Sequence, residues 1–179
     1  MVDALVREYL PHAPDLGLYH GDEIPAGKLR AALRDYAREV EPAEVLALYD
    51  ATRLGSAKDG AVFLADRFVF QNNDLQTPRS VRYRDVVGVR SKRKLLGGRE
   101  VEVSINRGRA TIEETLDFSA QAGAAAYVER FLREAMMARP AGDRSEQTDP
   151  DAVAAALDRL VAAGRLTTAD RDRMLATLV

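Results

Sequence analysis

The chain has 179 residues, is 46% hydrophobic and 30% charged, and carries a net charge of −2 with no cysteine. That composition describes a globular protein able to bury a core, as one medium domain with an appendage or as two small domains. It argues against a general electrostatic binder of nucleic acid, and it excludes disulfides, thiolate chemistry and cysteine-ligated zinc.

The N-terminus lacks the basic region and apolar core of a signal peptide, and no run approaches the roughly 18 apolar residues a membrane span needs. A cytoplasmic protein is the expectation. Ala4, Leu5, Tyr9 and Leu10 predict a short amphipathic helix ended by Pro11. Residues 11–22 are rich in turn formers and read as irregular. A second helix starts at Pro25, with Leu29, Ala32, Leu33, Tyr36 and Ala37 at i, i+3, i+4 spacing, and closes at Glu41-Pro42.

Seven short strands follow. They are expected over Val45–Arg53, Ala61–Ala65, Phe68–Gln71, Ser80–Tyr83, Asp85–Ser91, Glu100–Asn106 and Ala110–Phe118. The strict alternation of Val101, Val103 and Ile105 is the cleanest strand signal, and Asp66-Arg67 suits a tight hairpin turn. From Ser119, a candidate cap, the period changes to a helical stripe of Ala122, Ala125, Ala126, Val128, Phe131, Leu132 and Ala135, ending near Met137. Antiparallel strands with open edges, followed by one long apolar helix, imply an α+β fold: a seven-stranded antiparallel barrel or sandwich that the helix caps.

Leu48-Tyr-Asp-Ala-Thr52 followed by Gly55-Ser-Ala-Lys-Asp-Gly60 resembles a bacterial pleckstrin-homology-like (PH-like) family. In that family the first strand ends in a Tyr/Asp-Asp-Thr signal and a Gly-Ala-Lys-Asp-Gly loop comes next. The resemblance runs from about Ile24 to Met137 and implies the PH-like fold. PH-like domains that bind phosphoinositides carry several cations in this loop. Only Lys58 and nearby Arg53 are available here, which argues against a specific phosphoinositide pocket.

Residues 139–148 have the composition of a linker. Thr148-Asp-Pro150 then starts a helix with Val153, Ala156, Leu157, Leu160 and Val161 on one face and Gly164 just past its end. Thr167 caps a second helix carrying Met174, Leu175 and Leu178, with Asp170 three residues on, close to a capping box. Ala163-Gly-Arg-Leu-Thr167 resembles the turn of the short C-terminal (SHOCT) helical hairpin, although Arg171-Asp-Arg173 replaces the usual aromatic after the acidic pair. About 30 residues cannot hold a core alone, so Leu157, Leu160, Val161, Leu166, Met174, Leu175 and Leu178 are candidates for oligomerisation or docking. The expected organisation is a helical region at 1–43, a PH-like domain at 44–138, a linker at 139–148 and the hairpin at 149–179.

The strongest chemical feature is a charge asymmetry. Between Gln76 and Ala110 stand ten cations (Arg79, Arg82, Arg84, Arg90, Lys92, Arg93, Lys94, Arg99, Arg107, Arg109) against Asp85, Glu100 and Glu102, ten minus three giving +7. With Val81 and Tyr83 facing inward, Arg82 and Arg84 are expected beside Arg90 and Lys92 of the following strand. The hairpin Ser91–Gly98 adds Arg93, Lys94, Leu95 and Leu96, with Arg99 just beyond. Cations beside exposed leucines fit an anionic membrane surface or an acidic protein partner. The competing reading is a solvated sheet face, balanced by residues 1–50 with ten acids and five bases.

The Gly55–Gly60 loop invites a phosphate-binding role, but it lacks the Walker spacing and a following helix, so it reads as a structural turn. His12 and His20, with Asp15, Asp22 and Glu23 nearby, lack three or four converging ligands and read as solvated loop residues. Ser56 and Ser119 have no nucleophile context, and Asp50 and Asp59 have no catalytic partner. No cofactor is expected. The sequence points to a non-enzymatic binding or scaffold module with a protein partner or a second copy of itself. The alternatives are a peripheral protein at the inner membrane face and, more weakly, a nucleotide-binding or enzymatic role for the loop.

Overall fold

In a computed structural model the described residues are 1–95, 97–138, 157–158 and 167–176. They divide into one unit over Met1–Ala138 and a second over Arg139–Val179. The first unit is α+β. A five-stranded antiparallel sheet is ordered β1 (Leu18–His20), β2 (Ala47–Asp50), β3 (Gly60–Phe63), β4 (Arg67–Gln71), β5 (Arg79–Arg82). A three-stranded antiparallel sheet holds β6 (Val86–Arg93), β7 (Arg99–Asn106) and β8 (Thr111–Asp117). The helices are α1 (Val2–Tyr9), α2 (Ala26–Asp35) and α3 (Ala124–Met137).

The seven strands expected over residues 45–118 are present as β2–β8, each within a few residues of its predicted bounds. Two expectations need correction. An eighth strand, β1, lies in the segment read as irregular, and the strands form two separate sheets rather than a closed barrel. β1 has only three residues and owes its extended form to pairing with β2, Leu18 opposite Tyr49. Gly17 makes this approach feasible: it has φ +69°, its carbonyl accepts from the Asp50 amide at 2.8 Å, and a Cβ there would meet the Asp50 carbonyl at 2.5 Å.

Alternation along the strands sends side chains into two cores. Ala47, Tyr49, Ala61, Phe63, Phe68, Phe70 and Val81 face the three-stranded sheet and α3. Leu48, Val62 and Val69 face the opposite way, where Ala32 and Tyr36 cover them. Burial on both faces explains why β2–β4 read as nearly continuous apolar runs rather than alternating ones. In the larger core Phe131 of α3 meets Phe63 and Tyr83 edge-on, with centroids 5.4 and 5.8 Å away, and Tyr49 stacks on Phe118 at 4.5 Å.

One corner between the sheets is joined by a side chain. Asn72, just after β4, donates to the Thr115 carbonyl at 2.7 Å and accepts from the Asp117 amide at 2.9 Å, both on β8. Ser119 does not cap α3, which starts five residues later. It bonds Asp117 instead, from its amide at 2.8 Å and its hydroxyl at 2.6 Å.

In the second unit, helix Thr168–Ala176 is capped as the sequence indicates: Thr167 Oγ1 accepts from the Asp170 amide at 3.2 Å and donates to its carboxylate at 2.6 Å. The linker, the Thr148-Asp-Pro150 start and most of the first hairpin helix lie outside the described residues.

Asn72→Ala removes both bonds of the joined corner and leaves a carbonyl and an amide without their partner. The expected cost is about 1–3 kcal/mol, read as a lower urea midpoint at unchanged slope. An unchanged midpoint would show that Asn72 does not tie the sheets.

Candidate functional site

The loop after β2 is organised by one carboxylate. Asp50 is only 2% exposed, on the face of β2 that looks toward α2. Its Oδ1 accepts from the Thr52 amide at 2.9 Å, the Thr52 hydroxyl at 2.6 Å and the Ala57 amide at 3.2 Å. Its Oδ2 accepts from Lys28 Nζ of α2 at 2.6 Å, and the same ammonium donates to the Gly55 carbonyl. Thr52 Oγ1 in turn accepts from the Ser56 amide at 2.7 Å and the Ala57 amide at 3.3 Å.

A buried carboxylate is tolerated only when paired and fully hydrogen-bonded, and these donors meet that demand. They hold Ala57 in the left-handed region at φ +54°, fully buried. Gly60 closes the loop at φ +142°, where a Cβ would stand 1.9 Å from the Tyr49 carbonyl. The Ser56 and Ala57 amides, which a phosphate cradle would need, are therefore already bonded inside the protein. Lys28 also lies 5.2 Å from the Tyr19 ring centroid. Burial pulls its pKa down, but the bond and charge of Asp50 outweigh this and hold it above its ordinary value.

The basic segment is arranged differently from the expectation. Arg82 ends β5 of the large sheet, Arg84 sits in the following 3-10 turn, and β6 belongs to the other sheet. Arg82 and Arg84 therefore do not stand beside Arg90 and Lys92 on a neighbouring strand. Arg84 lies 3.7 Å from Asp85. On the outer face of the small sheet, Arg90 pairs with Glu102 at 2.6 Å and Glu113 at 3.1 Å, and Lys92 also pairs with Glu102. Lys94 reaches Asp117 at 3.2 Å and the Ser119 hydroxyl at 3.0 Å. Arg99 donates to the Ser91 hydroxyl at 3.5 Å.

That face is thus a lattice of alternating charge. Lys92 and Arg90 hold the Glu102 carboxyl below its usual range. Burial pushes Asp117 up, yet the Ser119 hydroxyl and amide together with Lys94 outweigh it, and its carboxyl also lies below its ordinary value. Arg93 forms no ion pair among the described residues, and Leu95 is fully exposed beside it at the hairpin tip. Leu96 lies outside the described residues.

Of the hairpin candidates, Leu157 is buried and Met174 is half exposed. Leu160, Val161, Leu166 and Leu178 lie outside the described residues, and Leu175 falls within helix Thr168–Ala176. His12 and His20 approach the same Glu23 oxygen through Nδ1, at 3.2 and 4.0 Å. Among the described residues no group of three or more His, Asp or Glu is arranged to hold a metal ion. Nor is any helix among them long and apolar enough to cross a membrane.

A cleft that the sequence did not flag lies on the α2 side of the large sheet. It encloses about 680 Å³ between the Asp35–Val40 segment, the Gln76–Pro78 loop and the β4–β5 face, with Arg67, Val69, Gln71 and Ser80 among its lining. Only its parts were legible. Segment 35–40 is the end of a predicted helix, and its meeting with β4 and β5 is a long-range contact without a local pattern.

Compared with family models, curated proteins and solved structures, the chain matches none.

Asp50→Ala strands Lys28 and the loop amides, and should cost about 3–5 kcal/mol in denaturant unfolding, whereas Asp50→Asn keeps an acceptor at Oδ1 and should cost less. Equal losses would refute the role given to the loop bonds. A pH effect follows from the small-sheet face. Because the Glu102 and Asp117 carboxyls are depressed, their contribution is present at neutral pH and is lost as pH falls through their folded values. Ser119→Ala should raise the Asp117 midpoint in a carboxyl-carbon NMR titration, moving that loss to higher pH; an unmoved midpoint would contradict the bonding described.

Proposed function

We propose that the chain is a non-enzymatic binding and scaffold module: a PH-like domain whose surfaces engage a partner, joined to a SHOCT-like helical hairpin that oligomerises or docks it. The observation that carries this reading is the arrangement of β2–β5 in one antiparallel sheet and β6–β8 in another, with α3 packed against the small sheet at the end of the domain. It supports the resemblance in the Asp50–Thr52 and Gly55–Gly60 segments, whose polar groups serve the fold rather than a ligand. The expected setting is the cytoplasm.

A second reading, a peripheral contact with anionic lipid at the inner membrane face, is favoured by the hairpin tip. There Leu95 is fully exposed just after Lys94 and Arg93, the latter without an ion pair among the described residues, at the end of the strand pair β6–β7. Arg90, Lys92 and Lys94 contribute less than their number suggests, since each is already held by a carboxylate.

Two measurements separate these roles. Deleting residues 149–179 should lower the mass seen by light scattering, and an unchanged mass would refute the hairpin's oligomerising role. In co-sedimentation with anionic vesicles, Arg93→Glu with Leu95→Asp should abolish binding while leaving the fold intact. Wild-type protein that ignores anionic vesicles altogether would dismiss the membrane reading. The tip pair is the cleaner probe, because reversing Lys92 or Lys94 would set a new carboxylate against Glu102 or Asp117.

A further inference from the structure

β5 is the outer edge of the five-stranded sheet, and the direction of its backbone groups can be read from its neighbours. The Tyr83 amide donates to the Asp66 carbonyl at 3.0 Å, a pair that continues the register Arg67 opposite Arg82. Bonded pairs alternate in an antiparallel ladder, so Val81 and Arg79 are the β5 residues bonded to β4, at Phe68 and Phe70. The Leu64 amide on the Arg67 carbonyl, at 2.9 Å, fits the same alternation, because it turns Arg67, Val69 and Gln71 toward β3. The N–H and C=O groups of Ser80 and Arg82 therefore point away from the sheet. Among the described residues no strand pairs with them; the Arg82 carbonyl caps the 3-10 turn Tyr83–Asp85, which leaves the Ser80 N–H and C=O and the Arg82 N–H as the groups open to a partner strand.

Beside this edge lies the cleft. Ser80 and Arg82 pair across with Val69 and Arg67 and share their face of the sheet, the face α2 covers elsewhere. Helix α2 ends at Asp35 and the 36–40 segment that follows covers Val69 of β4 but not β5, so Ser80 and Arg82 stay exposed on that face.

We infer that the β5 edge accepts an extended acidic peptide segment as an added strand, with alternate side chains of that segment entering the cleft. Strand addition needs a row of free backbone groups and pockets for every second side chain. Both are present. Charge selects the occupant. Cross-strand neighbours of an added strand would be Arg79, Ser80, Val81 and Arg82, two cations and no acid. Arg79 already lies 3.7 Å from Glu114, but Arg82 on the edge and Arg38 and Lys58 in the cleft form no ion pair among the described residues, and the lining acid Asp35 is held by Arg34 at 3.0 Å. The remaining lining acids, Glu39 and Asp74, come from the segment after α2 and from the loop before β5, not from the β5 edge itself. A second copy fits less well. Pairing β5 with β5 through Ser80 and Arg82 would set the Arg82 side chains of both copies on one face two residues apart, and like charges so close oppose pairing.

The inference rests on the binding-module reading and gives it a partner class and a place. The test uses 15N-labelled full-length protein and two capped peptides, Glu-Val-Glu-Val-Glu and Lys-Val-Lys-Val-Lys. Addition of the Glu peptide should shift the Ser80 and Arg82 amides and slow their exchange with solvent, and the Lys peptide should bind at least about tenfold more weakly. Ser80→Pro removes the outward N–H but leaves the bonds to β4 intact, as a proline on the solvent side of an edge strand does, and should weaken the Glu peptide at least about tenfold. Arg82→Glu should reverse the preference between the peptides. Equal binding of both peptides, binding unaffected by Ser80→Pro, or no binding would each overturn the inference. Shifts confined to Arg93–Leu95 would overturn it while leaving the chain a binding module. Protection of the two amides that rises with protein concentration in the absence of peptide would show self-pairing and overturn it as well.

Discussion

The structure of the first unit depends on the buried carboxylate of Asp50. A charge at 2% exposure is admissible only with a counter-charge and a full set of donors, and the chain supplies them from two places. Lys28 comes from α2, twenty-two residues earlier, and fixes where that helix sits over the sheet. Thr52 and Ala57 come from the loop, and their bonds set its path. The apparent phosphate-loop spacing of Gly55–Gly60 is thus a consequence of wrapping a loop around an acid. Glycine is needed at 60 because the chain passes against the Tyr49 carbonyl. Lys58, the cation that suggested ligand chemistry, is exposed and takes no part in this.

Anchoring α2 at Asp50 also decides what stays uncovered. The helix lies over β1–β3, and its end, with Tyr36 and Ala37, closes the smaller core against Val62, Leu64 and Val69. Tyr36 is buried to the hydroxyl, which has no hydrogen-bond partner among the described residues, and burial drives its pKa far above the ordinary tyrosine value. An unsatisfied buried hydroxyl is a real cost, set here against the apolar contacts of the ring. Beyond this point β4 and β5 present their outer face to a cleft instead of to a helix. The cleft results from the short helical cover, and the open edge beside it from β5 having no further strand among the described residues.

Much of this is legible in the amino-acid sequence. The strands between 45 and 118 announce themselves because turn residues punctuate each apolar run, and Thr167 and Asp170 mark a helix start that the bonding bears out. What escaped is tertiary in origin. β1 has no pattern of its own and exists through β2. The +7 asymmetry misled because counting within residues 76–110 stops short of Glu113, Glu114 and Asp117, which β8 returns to the cations; adding these three acids leaves +4. Glu102 lies within the window, but only the pairing of β6 with β7 shows that it serves Arg90 and Lys92 together. The Lys28–Asp50 pair joins residues whose separation matches no local periodicity. Sequence alternation gives which way a side chain points, and only the register gives what it meets.

The neutralised sheet face bears on how strongly the hairpin tip could hold a membrane. With Arg90, Lys92 and Lys94 engaged by carboxylates, the described part of the tip offers Arg93, unpaired among the described residues, and Leu95 as an apolar anchor. One cation near an anionic surface contributes about 1 kcal/mol, and burying a leucine about 2 kcal/mol. Their sum, roughly 3 kcal/mol, falls short of the ~4 kcal/mol that corresponds to millimolar affinity. A single tip would therefore hold lipid only fleetingly. Joining two or more tips in one assembly makes the later contacts intramolecular and raises their effective concentration, so avidity could reach what one tip cannot. Under the membrane reading, lipid contact and hairpin-driven association are one requirement rather than two. An added strand at β5 differs in kind, because its backbone bonds and cross-strand charges are complete within one copy of the chain.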